Sequence, residues 1–429
     1  MEEKKEVRRK KFRKFDYRLD FYLLLGLSFL IFFGLIALTS ASISAGIHGD
    51  SGNPLVFVEK QIGFTLIGVI VMIFVSFVPY TWWRKFSYLA IFGSALMVVL
   101  LQIDKTQFPY LYGAEINGAR RWLVIFGFQF QVTDFIRFSA ILFLAHVITK
   151  LKWGIRKGRF LGIGQVFFVL TLAIALAGGI LVFTKNLSTA LIVLGIAAMM
   201  VIVVYPHEKL TIGALIGAVI AVIALIQYIL QLPPGAGDYH FKRIKMWFDP
   251  FNPVYLYDDN GSYQTVQSLY AIGRGGLLGV GLGNGIQKLG NLPEPYNDFI
   301  FSVICEELGF VGALFLILLY IYFLVQVFLI STKAKDTFGS MLAVGIFSHF
   351  AFQVIVNIGV CTNMLPNTGV GLPFISYGGT AQVVLLGEVG ILLSIYRFSK
   401  NALLQSEKKS IPQRIKEDIS EWVARRKGA

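Results

Sequence analysis

Ten apolar runs constrain this chain more than any other feature. They fall at roughly 21–41, 62–80, 86–102, 132–149, 160–183, 189–205, 210–231, 299–330, 338–361 and 375–396. A helix needs about 20 residues to cross about 30 Å of hydrocarbon. One such run can be the buried helix of a soluble core, but ten in succession cannot be packed in water. The charge content agrees: 55% of the residues are apolar and 15% charged, against about 25% charged in a soluble domain. Disorder, a disulfide scaffold and an ordinary soluble enzyme are excluded. The expected fold class is an all-α polytopic membrane protein with about ten transmembrane helices.

Lysine and arginine set the expected orientation. With the N-terminus placed in the cytoplasm, the cytoplasmic segments hold 28 of them and the opposite side 10. Arg137 lies within the fourth run and completes the 39. The reading is N-in, C-in, with a basic tail at 1–20, a membrane domain at 21–398 and a second basic tail at 399–429. The net charge of +14 is thereby explained by positive-inside anchoring and anionic lipid heads, and nucleic acid is not an expected partner. The first run, followed by "SASISAG", is longer than a signal-peptide core and reads as a retained anchor. Cys305 and Cys361 both lie in apolar runs and define neither a disulfide framework nor a zinc site. No repeat of 20–50 residues is visible. The long extracytoplasmic loop between helices 7 and 8, residues 232–298, is the one large element outside the membrane, and loops of that length are usually functional.

Charges inside spans are costly and mark candidate sites. Asp134 and Arg137 stand three apart on one helix face, as either a self-neutralising pair or the lining of a polar cavity. Glu306 and Glu307 lie two turns into the eighth run, so at least one faces the interior, as a packing contact or as cavity lining. Glu388 lies within the tenth. "NGARRWL" (117–123) combines two arginines with an interfacial tryptophan, which suits a lipid diphosphate or an interfacial aromatic belt with snorkelling arginines. Seven glycines between Gly273 and Gly285 lack the strand–helix frame of a dinucleotide fingerprint. They read better as backbone pressed against another surface. Glu294 and Asp298, four apart at the mouth of the eighth run, could supply a general base of raised pKa. Spacing alone equally allows Asn297 or Asp298 to cap that helix. "NMLPNTGVGLPFISYGGTAQ" (363–382) breaks the helical pattern, and such segments occur at membrane depth only against a cavity or buried in protein.

"NGARRWL", "YQTVQSLYAIGRGG", "LPEPYNDFIFSVICEELG" and "GVGLPFISYGGT" resemble the SEDS proteins of bacteria (shape, elongation, division and sporulation: FtsW, RodA, SpoVE). The likeness runs over essentially the whole chain and is closer to the FtsW/SpoVE branch. It implies a GT-C-like SEDS fold in the bacterial cytoplasmic membrane. It also implies a peptidoglycan glycosyltransferase that polymerises lipid II into β-1,4 glycan at the outer face. The implied partners are a class B penicillin-binding protein and other divisome or elongasome proteins. Carried over by motif, Asp298 is the catalytic carboxylate and Glu294 its upstream companion. Arg120, Arg121, Trp122, Asp134, Arg137, Gln264, Ser376, Gly378 and Gly379 are implied substrate-binding residues. No metal cage is visible. A divalent cation, Mg²⁺ or Mn²⁺, could assist the diphosphate.

Three departures stand out. The "QPSEFAKL"-like motif reads "QVTDFIRF" here, with Val132, Thr133, Asp134 and Arg137 in place of Pro, Ser, Glu and Lys. The usual "PDLGTA" aspartate is Asn186, and a glutamate sometimes found before the "LPE" glutamate is Gly290. In the expected mechanism an α-linked donor gives a β-linked product by single displacement. Asp298 takes the acceptor proton, Glu294 orients or shares it, and Arg120, Arg121 and Arg137 hold the diphosphate. A lipid II flippase would also use intramembrane charges, but no inverted repeat is visible. A non-catalytic scaffold is the third class, and intact Glu294 and Asp298 argue against it.

Overall fold

A computed structural model of the chain describes residues 19–49, 52–106, 108–116, 119–153, 163–205, 227, 239–252 and 262–401. The expected seventh span at 210–231, apart from residue 227, and nearly all of both tails fall outside these residues. Three helices open the chain: α1 Phe21–His48, α2 Val56–Phe77 and α3 Thr81–Leu100. A three-stranded sheet follows, with β1 Leu111–Ile116, β2 Ala119–Ile125 and β3 Phe128–Gln131. Then come α4 Val132–Trp153, α5 Ile163–Thr184, α6 Leu187–Val204, α7 Tyr239–Phe248, α8 Ser262–Gly275, α9 Ile300–Thr332 and α10 Thr337–Cys361. The last helix is α11 Gly379–Asn401. Among the described residues, nine of these helices are long and apolar enough to cross a membrane, and the protein is a multi-pass membrane protein.

The boundaries follow local chemistry. Side chains of Asp20, Asn186 and Asp336 cap α1, α6 and α10 by accepting from the backbone N–H groups of Leu23, Thr189 and Gly339. Helix α2 ends at Phe77 rather than near residue 80, because Val78 precedes Pro79 and takes an extended conformation, as pre-proline residues do. Helix α11 begins at Gly379 rather than at 375. Residues up to Gly378 are held out of the helix by Phe374, whose φ is +65°, and by Ser376, whose hydroxyl accepts from Leu372 N at 2.7 Å and donates to Asn297 O at 2.6 Å.

The helical fold also carries one small sheet between α3 and α4. Strands β1, β2 and β3 pair antiparallel in that order, and Phe126–Gly127, both at positive φ, make the β2–β3 turn. Paired positive-φ residues match the right-handed twist of flanking strands. The sequence signal is the alternation Phe128-Gln129-Phe130-Gln131, in the short stretch between the third and fourth apolar runs.

Helices α4 and α10 form the centre: α10 packs against α4, α6 and α9, and α9 packs in turn against α1 and α8. The glycine-rich stretch is a close-packing device. Cβ atoms on Gly275 and Gly279 would overlap the carbonyls of Cys305 and Glu307, on the first turns of α9. Gly279 also sits at φ +79°. Gly279→Ala is therefore expected to cost about 1–3 kcal/mol, read as a lower melting temperature in detergent.

Both glutamates of the eighth run are buried and serve packing. Glu306 accepts from Arg274 Nη1 at 3.2 Å and from the Ile286 N–H at 3.0 Å. Glu307 pairs with buried Lys288 and accepts from the Ser40 hydroxyl at 2.7 Å. The loop between α8 and α9 is thus pinned to the bundle, and this places the segment that follows, Leu292 to Phe299.

Candidate active site

That segment enters α9 through strained backbone. Glu294 holds φ +50°, and its carboxylate accepts from Asn297 Nδ2 at 2.5 Å. The helix cap is Phe299, without a side-chain capping bond, so neither Asn297 nor Asp298 caps α9. The Asp298 side chain is left for other work.

Asp298 is held from its backbone. Its carbonyl accepts from Asn357 Nδ2 at 2.7 Å, and the same amide group donates to Val370 O at 2.8 Å. Cys361 Sγ lies 3.6 Å from the same carbonyl. Oδ2 of the Asp298 carboxyl lies against Gly369, where a Cβ would come within 3.0 Å. Burial pushes this carboxyl up to about 7, with the nearby Glu294 charge adding to the rise; Arg121 and Arg243 pull the other way. A carboxyl at that value is half ionised near neutral pH, the condition a general base needs. The neighbouring Tyr296 is pushed up to about 12 by burial and by Glu294, so it stays a neutral phenol packed against the tilted Phe57 ring, with centroids 4.5 Å apart.

The two cations come from distant parts of the chain. Arg121 is on β2 and donates to Lys185 O at 3.1 Å. Arg243 is on α7 and donates to Asn367 O at 2.9 Å. Helix α7 is tied to the same loop by Trp247 Nε1, which donates to Asn363 O at 2.9 Å. Gln264 joins the clamp, accepting from Asn367 Nδ2 at 2.8 Å. The loop 363–378 is thereby laced to α7, α8 and Asn297, with Asp298 beneath it.

The other expected site residues divide. Arg120 is turned to carboxylates, with Asp104 at 2.7 Å and Glu115 at 3.4 Å. Trp122 pairs in the sheet with Ala114 and Gln131. Ser376 and Gly378 position the loop, Gly378 N donating to Gln61 Oε1 at 3.2 Å. Gly379 leaves room for the Phe64 ring, which a Cβ would meet at 2.5 Å. Asp134 and Arg137 form a buried ion pair with each other in a second cluster with His349 and Glu388, apart from the cations that act on Asp298. Asn186 caps α6, a task asparagine and aspartate perform about equally, so that substitution keeps the local structure.

Three contributors escaped sequence reasoning: Arg243, Asn357 and Gly369. Arg243 had a faint signal in the basic, aromatic stretch "FKRIKMWF". Asn357 and Gly369 had none, because one acts on a backbone carbonyl and the other by leaving space.

Comparison with known proteins decides the family. Residues 21–401 match the FtsW/RodA/SpoVE model, described as cell cycle protein. The chain belongs to this family. Stage V sporulation protein E of Bacillus subtilis is 35% identical over 376 residues, covering 86% of this chain and 95% of that relative. A probable peptidoglycan glycosyltransferase FtsW of Trichlorobacter lovleyi is 34% identical over 392 residues, covering 91% and 96%. Among solved structures, a chain of a peptidoglycan synthase complex superposes with TM-score 0.69 at 23% identity, covering 89% of this chain and 98% of that one. The RodA rod-shape protein of Thermus thermophilus gives 0.59 at 23% identity, covering 88% and 97%. These likenesses place this family member among the multi-pass proteins of the bacterial cytoplasmic membrane.

Proposed function

We propose that this protein is a peptidoglycan glycosyltransferase that extends glycan from lipid II by inverting displacement, with Asp298 as its base. The observation that carries the proposal is a half-buried carboxyl, raised to about 7, beneath a loop and flanked by two guanidiniums. A base of that kind takes a proton from a sugar hydroxyl, while arginines suit the diphosphate that departs. Asp298 removes the acceptor 4-hydroxyl proton as that oxygen attacks the anomeric carbon of the donor. The C–O bond to the diphosphate breaks, and the electron pair leaves with the diphosphate. Arg121 and Arg243 hold that charge. Glu294 keeps the Asp298 carboxyl basic.

The positive-inside reading of the lysines and arginines supports an outer-face location for this site. A class B penicillin-binding protein is the proposed partner, in keeping with the likeness to a chain of a synthase complex. Among the described residues no group of three metal-binding side chains exists. Asp298 and Glu294 make a two-carboxylate set of the kind that Mg²⁺ or Mn²⁺ uses together with phosphate oxygens. When bound there, such an ion would neutralise diphosphate charge.

The direct test incubates purified protein, alone and with its transpeptidase, with lipid II and resolves glycan strands on a gel. Long strands support the proposal; none under any condition, with the partner bound, overturns it.

The pH profile follows from the same carboxyl. Only the ionised base accepts a proton, so kcat/KM should fall as pH drops through about 7 and level off above it. Glu294→Gln removes the like charge that raises Asp298. Its acid limb should therefore lie at lower pH than that of the parent, whatever its plateau height. An unmoved limb would remove Glu294 from this role.

A further inference from the structure

A second group of charges lies deep between α4, α10 and α11. Thr133, Asp134 and Arg137 come from α4, His349 and Gln353 from α10, and Glu388 from α11. Each is at most 5% exposed. Asp134 pairs with Arg137, and His349 Nδ1 lies 2.9 Å from Glu388 Oε2. The two pairs interact electrostatically through Asp134.

The helices bring these groups to one level. A Cβ on Gly345 would sit 2.7 Å from the Ile141 side chain, which fixes where α10 meets α4. Helix α4 starts and α10 ends on the side of the loop over Asp298, so they run antiparallel. One turn from that contact, about 6 Å along each axis, Arg137 and His349 come level. A further turn brings Gln353 level with Thr133 and Asp134. Five buried polar atoms here lack a hydrogen-bond partner: Thr133 Oγ1, Asp134 Oδ2, Arg137 Nη1, His349 Nε2 and Gln353 Oε1.

The charges do not balance. Asp134 and Glu388 carry two negative charges, Arg137 one positive charge, and a neutral imidazole none, which leaves one negative charge. Elsewhere each buried glutamate of α9 has a cation of its own, Arg274 for Glu306 and Lys288 for Glu307. Among the described residues no further cation pairs with either carboxylate: α3 packs on α4 but brings its two, Arg84 and Lys85, to the level of His146, and α5 has no charged residue. Helix α6 has no charged residue, and α2 faces Glu388 through Gly68 to Met72, which are uncharged. On α9, the contact with α10 is Phe323 against Phe350. An unpaired charge in such a medium is too costly to keep.

We propose that this cluster is a binding site for one small positive charge, a proton or an alkali cation, held with water molecules that satisfy the five open atoms. An alkali ion would use the oxygens of Asp134, Thr133 and Gln353, which suit a hard cation. The inference does not depend on the transferase reading.

The test is thermal unfolding of the full chain in detergent, in an Asp298→Asn background so that this carboxyl does not titrate. Sodium chloride is compared with choline chloride at equal ionic strength, at pH 6.5 and pH 9. An alkali site predicts a higher melting temperature in sodium, by about 2 °C per tenfold increase in free ion. A proton site predicts no sodium effect and a fall in melting temperature from pH 6.5 to pH 9. Glu388→Gln balances the cluster without a ligand, so either dependence should disappear and its melting temperature at pH 9 in choline should match or exceed that of its parent. Asp134→Asn removes the same charge from another helix and serves if Glu388→Gln does not fold. Dependences absent from the parent, or persisting in the neutralised variants, overturn the proposal.

Discussion

Asp298→Asn should reduce glycan strand synthesis by roughly 10²- to 10⁴-fold, the usual contribution of a general base, while the protein keeps its fold. The asparagine matches the aspartate in shape. The contacts that hold this position are backbone contacts: Asn357 and Cys361 meet the Asp298 carbonyl, and the adjacent cap of α9 uses no side chain. Among the described residues the hydrogen bonds that hold this position end on the backbone carbonyl, and the carboxylate charge is met only at a distance by Arg121 and Arg243. The variant also relieves the desolvation that raises this carboxyl, so its melting temperature should equal or exceed that of the parent. The measurement pairs a lipid II gel assay with a melt. Full activity in a folded Asp298→Asn protein would remove Asp298 as the base. Low activity with a collapsed melting temperature would instead make it a structural residue.

Lys288→Met should cost about 3–5 kcal/mol, the scale for stripping one partner from a buried ion pair. Lys288 is 5% exposed and Glu307 2% exposed. The ammonium meets both the Glu307 carboxylate and the Ser40 hydroxyl, the latter at 2.6 Å. Methionine fills similar volume but leaves Glu307 charged against apolar helices. The double variant Lys288→Met, Glu307→Met removes both charges and should recover most of the loss, because well-packed apolar replacements of buried pairs are often neutral. The cycle is read from melts of the four proteins. A single variant as stable as the parent would mean that water reaches Glu307. The loss should also lower activity, since this lock pins the loop that leads to Asp298.

Much of the architecture was legible in the chain. Nine of the expected spans are present because a run of twenty apolar residues has one low-energy solution in a bilayer, a helix with its backbone bonds made internally. The close approach at Gly275 and Gly279 was legible for a related reason, since a glycine cluster removes the Cβ atoms that would block it. The sheet was less visible: four residues of alternation are a weak signal beside a membrane helix. Helix ends were displaced where proline or a side-chain hydrogen bond overrode hydropathy, as at Val78 and Ser376.

For the site, motif likeness picked out Asp298 and Glu294, and spacing alone left catalysis and helix capping both open. The tertiary structure removed the capping alternative by giving the cap to Phe299, and catalysis at Asp298 stands as the proposal. It also gathered Arg121 from β2 and Arg243 from α7 around a carboxyl more than fifty residues from either. Hydropathy is a local sum along the chain, so it decides which segments enter the membrane. The pKa of a carboxyl and the balance of buried charge depend on what distant segments bring within a few ångströms, and only the packing of helices sets that.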